Sequence, residues 1–105
     1  MIMRIWRGRV LHYKEQAYLD YLQKTGLSEY RRIPGNCGVF ATTRTAKGVT
    51  EYVLVTFWDS IEAIRAFAGD DYEKAVYYPE DDGYLLSREP KVEHYEVKFA
   101  APAFE

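Results

Sequence analysis

The chain has 105 residues, enough for one domain around one core, and 1–105 reads as a single unit. Apolar residues make up 48% and charged residues 29%, a globular balance that argues against a disordered or membrane-embedded chain. A formal net charge of -2 with the signs interspersed provides no basic field for a phosphate backbone, so nucleic acid is not an expected partner.

Residues 2–11 alternate as a strand, with Arg4, Trp6 and Gly8 on one face and Met3, Ile5, Arg7 and Arg9 on the other. From Lys14 the period lengthens: Ala17, Tyr18, Tyr21, Leu22 and Thr25 mark an amphipathic helix that Gly26 is expected to end in the left-handed conformation. Residues 27–32 read as a short extra turn before the breaker Pro34-Gly35-Asn36. Cys37 is the only cysteine, expected to be a small buried hydrophobe. Residues 37–45 and 50–58 are rich in β-branched and aromatic side chains and form a hairpin around Ala46-Lys47-Gly48. The second of these strands carries large apolar groups on both faces and must be covered on both sides.

Asp59 and Glu62 have the spacing of a capping box ahead of Ile61, Ile64 and Phe67. Gly69 stops that helix, and Asp70 with Glu73 predicts a second short helix carrying Tyr72, Ala75 and Val76. Residues 79–83 break the pattern, 84–86 read as one more turn, 91–99 as a last strand and 100–105 as a loosely held arm. The order strand, helix, strand, strand, helix, strand is the ferredoxin-like α+β arrangement, a four-stranded antiparallel sheet with helices on one face. The other face then needs a cover, and a second copy of the chain packed sheet to sheet is the simplest one. A charged start at 1–7, no apolar window of membrane length and the single cysteine predict a soluble cytoplasmic protein.

The segment beginning W-D-S-I-E-A-I-R-A-F-A-G-D-D-Y at Trp58, with L-L-S-R-E-P-K-V-E-H-Y-E-V ending at Val97, resembles small proteins of the antibiotic-biosynthesis-monooxygenase superfamily. The resemblance implies a homodimeric α/β barrel joined through the sheet face, with any pocket between each subunit's own sheet and helices. It implies either a cofactor-independent monooxygenase that oxidises an aromatic small molecule with O2, or a non-catalytic dimeric barrel that binds a small ligand or serves a stress role. Haem-degrading members carry an asparagine, a tryptophan and a haem-ligating histidine where Arg7, Phe67 and Tyr77 stand in this sequence. No histidine lies between His12 and His94, which argues against haem degradation.

Oxidation of a phenol without metal or flavin needs a flat pocket, a group to take the proton and a donor for the oxyanion, after which oxygen reacts with the substrate carbanion. His94 is the candidate base, since imidazole titrates near neutral pH. Tyr72 and Tyr77, on the helix expected to border the pocket, are candidate hydrogen-bond donors. Trp58, Phe67 and Arg7 are candidate substrate-binding residues. Each has a structural alternative: hydrogen-bonded histidine, core or rim tyrosine, packed aromatic ring, and for Arg7 an ion pair with Glu93. Glu80-Asp81-Asp82 reads as a cap or solvated acids rather than a metal site. Neither a metal nor a bound cofactor is expected.

Overall fold

A computed structural model describes residues 1–101. The expected order is present: β1 (Ile2–Leu11), α1 (Glu15–Lys24), α2 (Gly26–Tyr30), β2 (Asn36–Ala46), β3 (Val49–Trp58), α3 (Ile61–Ala68) and β4 (Glu93–Glu96). The strands form one antiparallel sheet in the order β2-β3-β1-β4. This is the ferredoxin-like α+β fold: each helical crossover returns the chain to the sheet two places away, and the hairpin fills the gap.

The two periods in the sequence generate the core. On β1 the buried residues are Arg4, Trp6, Gly8 and Val10, and on β3 they are Thr50, Tyr52, Leu54, Thr56 and Trp58, the residues directly opposite them or offset by two. Tyr18, Tyr21 and Leu22 of α1 close over Trp6, Tyr52 and Leu54, while Ala63 and Ile64 of α3 join Trp58 and Tyr30 in a second cluster. The hairpin turns at Lys47 (φ 53°) and Gly48 (φ 77°), two successive left-handed residues whose twist matches the flanking strands.

Several local expectations are corrected. Gly26 is not left-handed; it opens α2, and Thr25, whose hydroxyl donates to Tyr21 O at 2.8 Å, separates the two helices. Ser60, not Asp59, caps α3, accepting from Ala63 N at 3.2 Å. No α-helix forms between Gly69 and Val92: these residues run as an irregular strap with one 3-10 turn at Pro79–Gly83, so Tyr72 and Tyr77 stand on loop rather than helix. Its anchors lie on the sheet and on itself, with Leu86 N donating to Arg9 O (2.8 Å) and Val92 N to Glu73 O (2.9 Å), and these outweigh the weak helical signal at 70–76. Leu85 bridges to Val10 instead of forming a helical turn, and β4 is shorter than 91–99. Cys37 is exposed because a register irregularity between Asn36 and Gly38 leaves it without a partner opposite on β3. Of the expected arm, 102–105 lies outside the described residues.

A buried cationic cavity between sheet and helices

The alternation of β1 turns Arg4 and Trp6 toward the helices, and there they line a cavity of about 30 Å³. Tyr18 and Tyr30 close it from the helices, and Tyr78 and Asp81 from the strap. That volume holds about one water, well below the several hundred Å³ of a typical small-molecule site.

Arg4 is only 3% exposed. Its Nη1 donates to Tyr72 O at 2.7 Å and to His94 Nε2 at 3.2 Å, its Nη2 reaches Lys74 O at a long 3.5 Å, and its guanidinium lies 5.7 Å from the centre of the Phe67 ring. Burial pulls its pKa below the ordinary arginine value, partly offset by Tyr30, yet an arginine stays charged at neutral pH. Arginine can only donate, so His94 Nε2 accepts and the imidazole proton sits on Nδ1. The Tyr72 ring packs edge-on against His94, centroids 5.3 Å apart.

Across the cavity Asp81 is equally buried, accepting from Tyr78 N at 2.6 Å and from the Tyr18 hydroxyl at 3.4 Å. Burial raises its pKa, and the hydrogen bonds from Tyr78 and Tyr18 hold it back. The Tyr30 phenol is pushed up to about 12, chiefly by burial, and burial also raises Tyr78, whose hydroxyl donates to the Glu29 carboxylate. The buried indole N–H of Trp6 makes no hydrogen bond of normal geometry, although Tyr77 stands edge-on to its ring at 6.1 Å.

Four of the six residues singled out from sequence gather around Arg4: His94, Tyr72 and Phe67 contact it, and Trp58 stacks behind Phe67 at 5.9 Å. Tyr77 contacts Trp6, and its hydroxyl donates to Glu89 O at 2.6 Å. Arg7 lies on the opposite sheet face, where it pairs with Glu93. The cavity residues themselves, Arg4 and Asp81 above all, were not among the six. The signal for Arg4 was an arginine sharing a strand face with Trp6 and Gly8; for Asp81 it was hidden in an acidic run whose neighbours Glu80 and Asp82 are exposed. Among the described residues no group of three His, Cys, Asp or Glu side chains is placed to hold a metal. An axially ligated haem does not fit the residues present, since Nε2 of the nearest histidine, His94, is taken by Arg4.

Burial and the Arg4 charge lower the His94 pKa, with Glu73 opposing, so folding disfavours the protonated ring. The stability this contributes is present above the ordinary value of 6.5 and is lost as pH falls through the lower folded value. Asp81, raised above 3.8, acts in the reverse sense, contributing most at acid pH and less as pH rises. Urea midpoints should therefore fall on acidification below about 6.5, and His94→Gln should flatten that limb. An unchanged slope in the variant would remove His94 as its source.

The architecture defines a class of protein: a ferredoxin-like sheet with its helices on one face and a cavity between them. It is the fold of the antibiotic-biosynthesis-monooxygenase proteins, as three solved structures show. A protein from Bacillus cereus that carries that name is 15% identical, with 99% of this chain and 97% of that one covered and a TM-score of 0.65. The monooxygenase from the gene ActVA-Orf6 of Streptomyces coelicolor, in complex with nanaomycin D, is 17% identical over 98% and 92% with a TM-score of 0.62. The haem degrader MhuD of Mycobacterium tuberculosis, with two haems bound, is 19% identical over 97% and 100% with a TM-score of 0.60. No protein-family model and no curated protein matches the sequence. No helix among the described residues is long and apolar enough to cross a membrane.

Proposed function

We propose that the chain is a cofactor-independent monooxygenase that oxidises a small aromatic molecule with O2 in the cavity beneath Arg4. The observation that carries this reading is a buried, permanently charged guanidinium facing an aromatic-walled cavity with a buried carboxylate across it. Asp81, made more basic by burial, takes a proton from the substrate, and Arg4 stabilises the resulting oxyanion, with the protonated Tyr30 available as a further donor. The carbanion form of the substrate passes electrons to O2 and forms the C–O bond. Loss of the second hydrogen from that carbon with cleavage of the O–O bond releases water and leaves a carbonyl. His94, Tyr72 and Phe67 act through Arg4 by fixing its position.

Entry of an aromatic ring requires the strap to move, since it supplies Tyr78 and Asp81 to the cavity and contains no regular element beyond one 3-10 turn. The small volume favours a second reading, a non-catalytic barrel that holds a small ligand. Oxygen uptake with anthrone- and naphthol-like substrates separates the two. Consumption matched by equimolar carbonyl product supports the enzyme, and no uptake across the panel leaves the binding protein.

The assembly in this proposal is a homodimer joined through the outer sheet face. All the helices pack on the inner side, while Val53, Val55 and Phe57 stay half-exposed and Phe40 and Tyr95 are exposed. The Arg7–Glu93 and Arg44–Glu51 pairs occupy the same face and give it charges to match on a partner. Sedimentation should give a dimer mass, and Val55→Asp should shift it to monomer; a monomeric parent chain would end this part of the proposal.

A further inference from the structure

The ion pairs among the described residues all lie at the surface: Arg7–Glu93, His12–Glu15, Arg44–Glu51, Arg88–Asp82 and Lys98–Glu96. Arg4 is the buried cation, and it has no acid. Its acceptors are two backbone carbonyls and a neutral imidazole, one of them at 3.5 Å, for a group with five N–H donors. An uncompensated charge in such a place is strongly disfavoured. Two residues along the same face of β1, the buried Trp6 indole N–H makes no hydrogen bond of normal geometry and has only the Tyr77 hydroxyl near it. Both side chains line the same cavity, as does the phenol of Tyr30. The cavity thus has donors in excess at its sheet end.

Asp81 does not cancel them. It is committed to Tyr78 N and the Tyr18 hydroxyl, and no ion pair joins it to Arg4. A negative charge placed at its end would be repelled. We propose that the cavity, widened by movement of the strap, takes a planar aromatic molecule bearing a single oxyanion, a carboxylate or an ionised phenol, seated on Arg4 and beside the Trp6 indole N–H with its neutral end toward Asp81. The proposal rests on the reading of the cavity as an aromatic site and adds the charge of its ligand.

Calorimetric titration of the full chain with 2-naphthoate, its neutral isostere 2-naphthamide and 2-naphthol tests it. Naphthoate should bind at least about tenfold more tightly than the amide, a preference of the size that one charge-assisted hydrogen bond supplies. Naphthol should tighten as pH passes through its own pKa if an ionised phenol is the natural group, and stay weak if the carboxylate is. Arg4→Met should abolish the preference for the anion, and Trp6→Phe, which keeps the ring and removes the N–H, should reduce it. Equal binding of naphthoate and naphthamide to the parent chain overturns the proposal while leaving the aromatic site standing, and so does an unchanged preference in a folded Arg4→Met. Binding of none of the three overturns the aromatic site and the proposal with it.

Discussion

Trp58→Ala should cost about 3–5 kcal/mol, the range for emptying a buried large aromatic position, and so remove a large share of the 5–15 kcal/mol that holds a typical domain. Trp58 is fully buried at the end of β3, opposite Ile2 on β1 and Asn36 on β2. Its ring stacks on Phe67 at 5.9 Å and meets Tyr30 edge-on at 6.0 Å, and its indole N–H donates to Thr56 Oγ1 at 2.9 Å. The substitution therefore opens a cavity and leaves the Thr56 hydroxyl without its donor, and the site is walled by β3 and α3, which cannot close over it without breaking the sheet. Because Phe67 lies under the Arg4 guanidinium, the loss also loosens the cation. Urea unfolding by circular dichroism is the measurement: a large drop in midpoint is expected, with Trp58→Phe recovering most of it. A drop below 1 kcal/mol would show that Trp58 faces a space able to collapse.

Trp58 also shows where sequence reasoning stops. Its place at a strand-to-helix corner was legible, and so was the choice between pocket wall and core; only tertiary packing shows that Phe67 and Tyr30 enclose it. The first three strands were legible because period-2 alternation and a Lys47-Gly48 turn are local signals, and the last was legible in place but not in length. The strap was not, because its conformation comes from long-range bonds to Arg9 and Val10, while its local residues resemble a capped helix. The cavity was half legible for the same reason. Alternation placed Arg4 beside Trp6, but whether an acid faced that arginine depended on β4, α3 and the strap, and all three bring neutral groups: His94, Phe67 and the Tyr72 and Lys74 carbonyls. Arg7, one residue earlier on the other face from Gly8, found an acid at once.

Gly8→Val is the second change with a large expected effect, at the upper end of the 1–3 kcal/mol typical of overpacking. A Cβ on Gly8 would stand 2.2 Å from Trp6 Cη2, 2.8 Å from Cζ2 and 3.0 Å from Leu85 Cδ2. The Trp6 ring lies forward along its own strand over the space that the glycine leaves, with Leu85 of the strap beside it. Both contacts are to side chains packed in the core, and Trp6 cannot yield without moving the cavity wall. Valine has the better strand propensity and would stabilise an open position; a loss of stability is thus a statement about Trp6 and Leu85. Urea unfolding should show that loss, and the fluorescence of Trp6, isolated in a Trp58→Phe background, should report a displaced and more hydrated indole. The mechanism makes a sharper demand on the double variant. With Trp6→Leu the ring that occupies the Gly8 recess is gone, so adding Gly8→Val should then cost far less than it does in the parent chain, a coupling that a cycle of the two changes measures. If the two costs simply add, the recess is not what positions Trp6, and the indole N–H at the cavity has some other support.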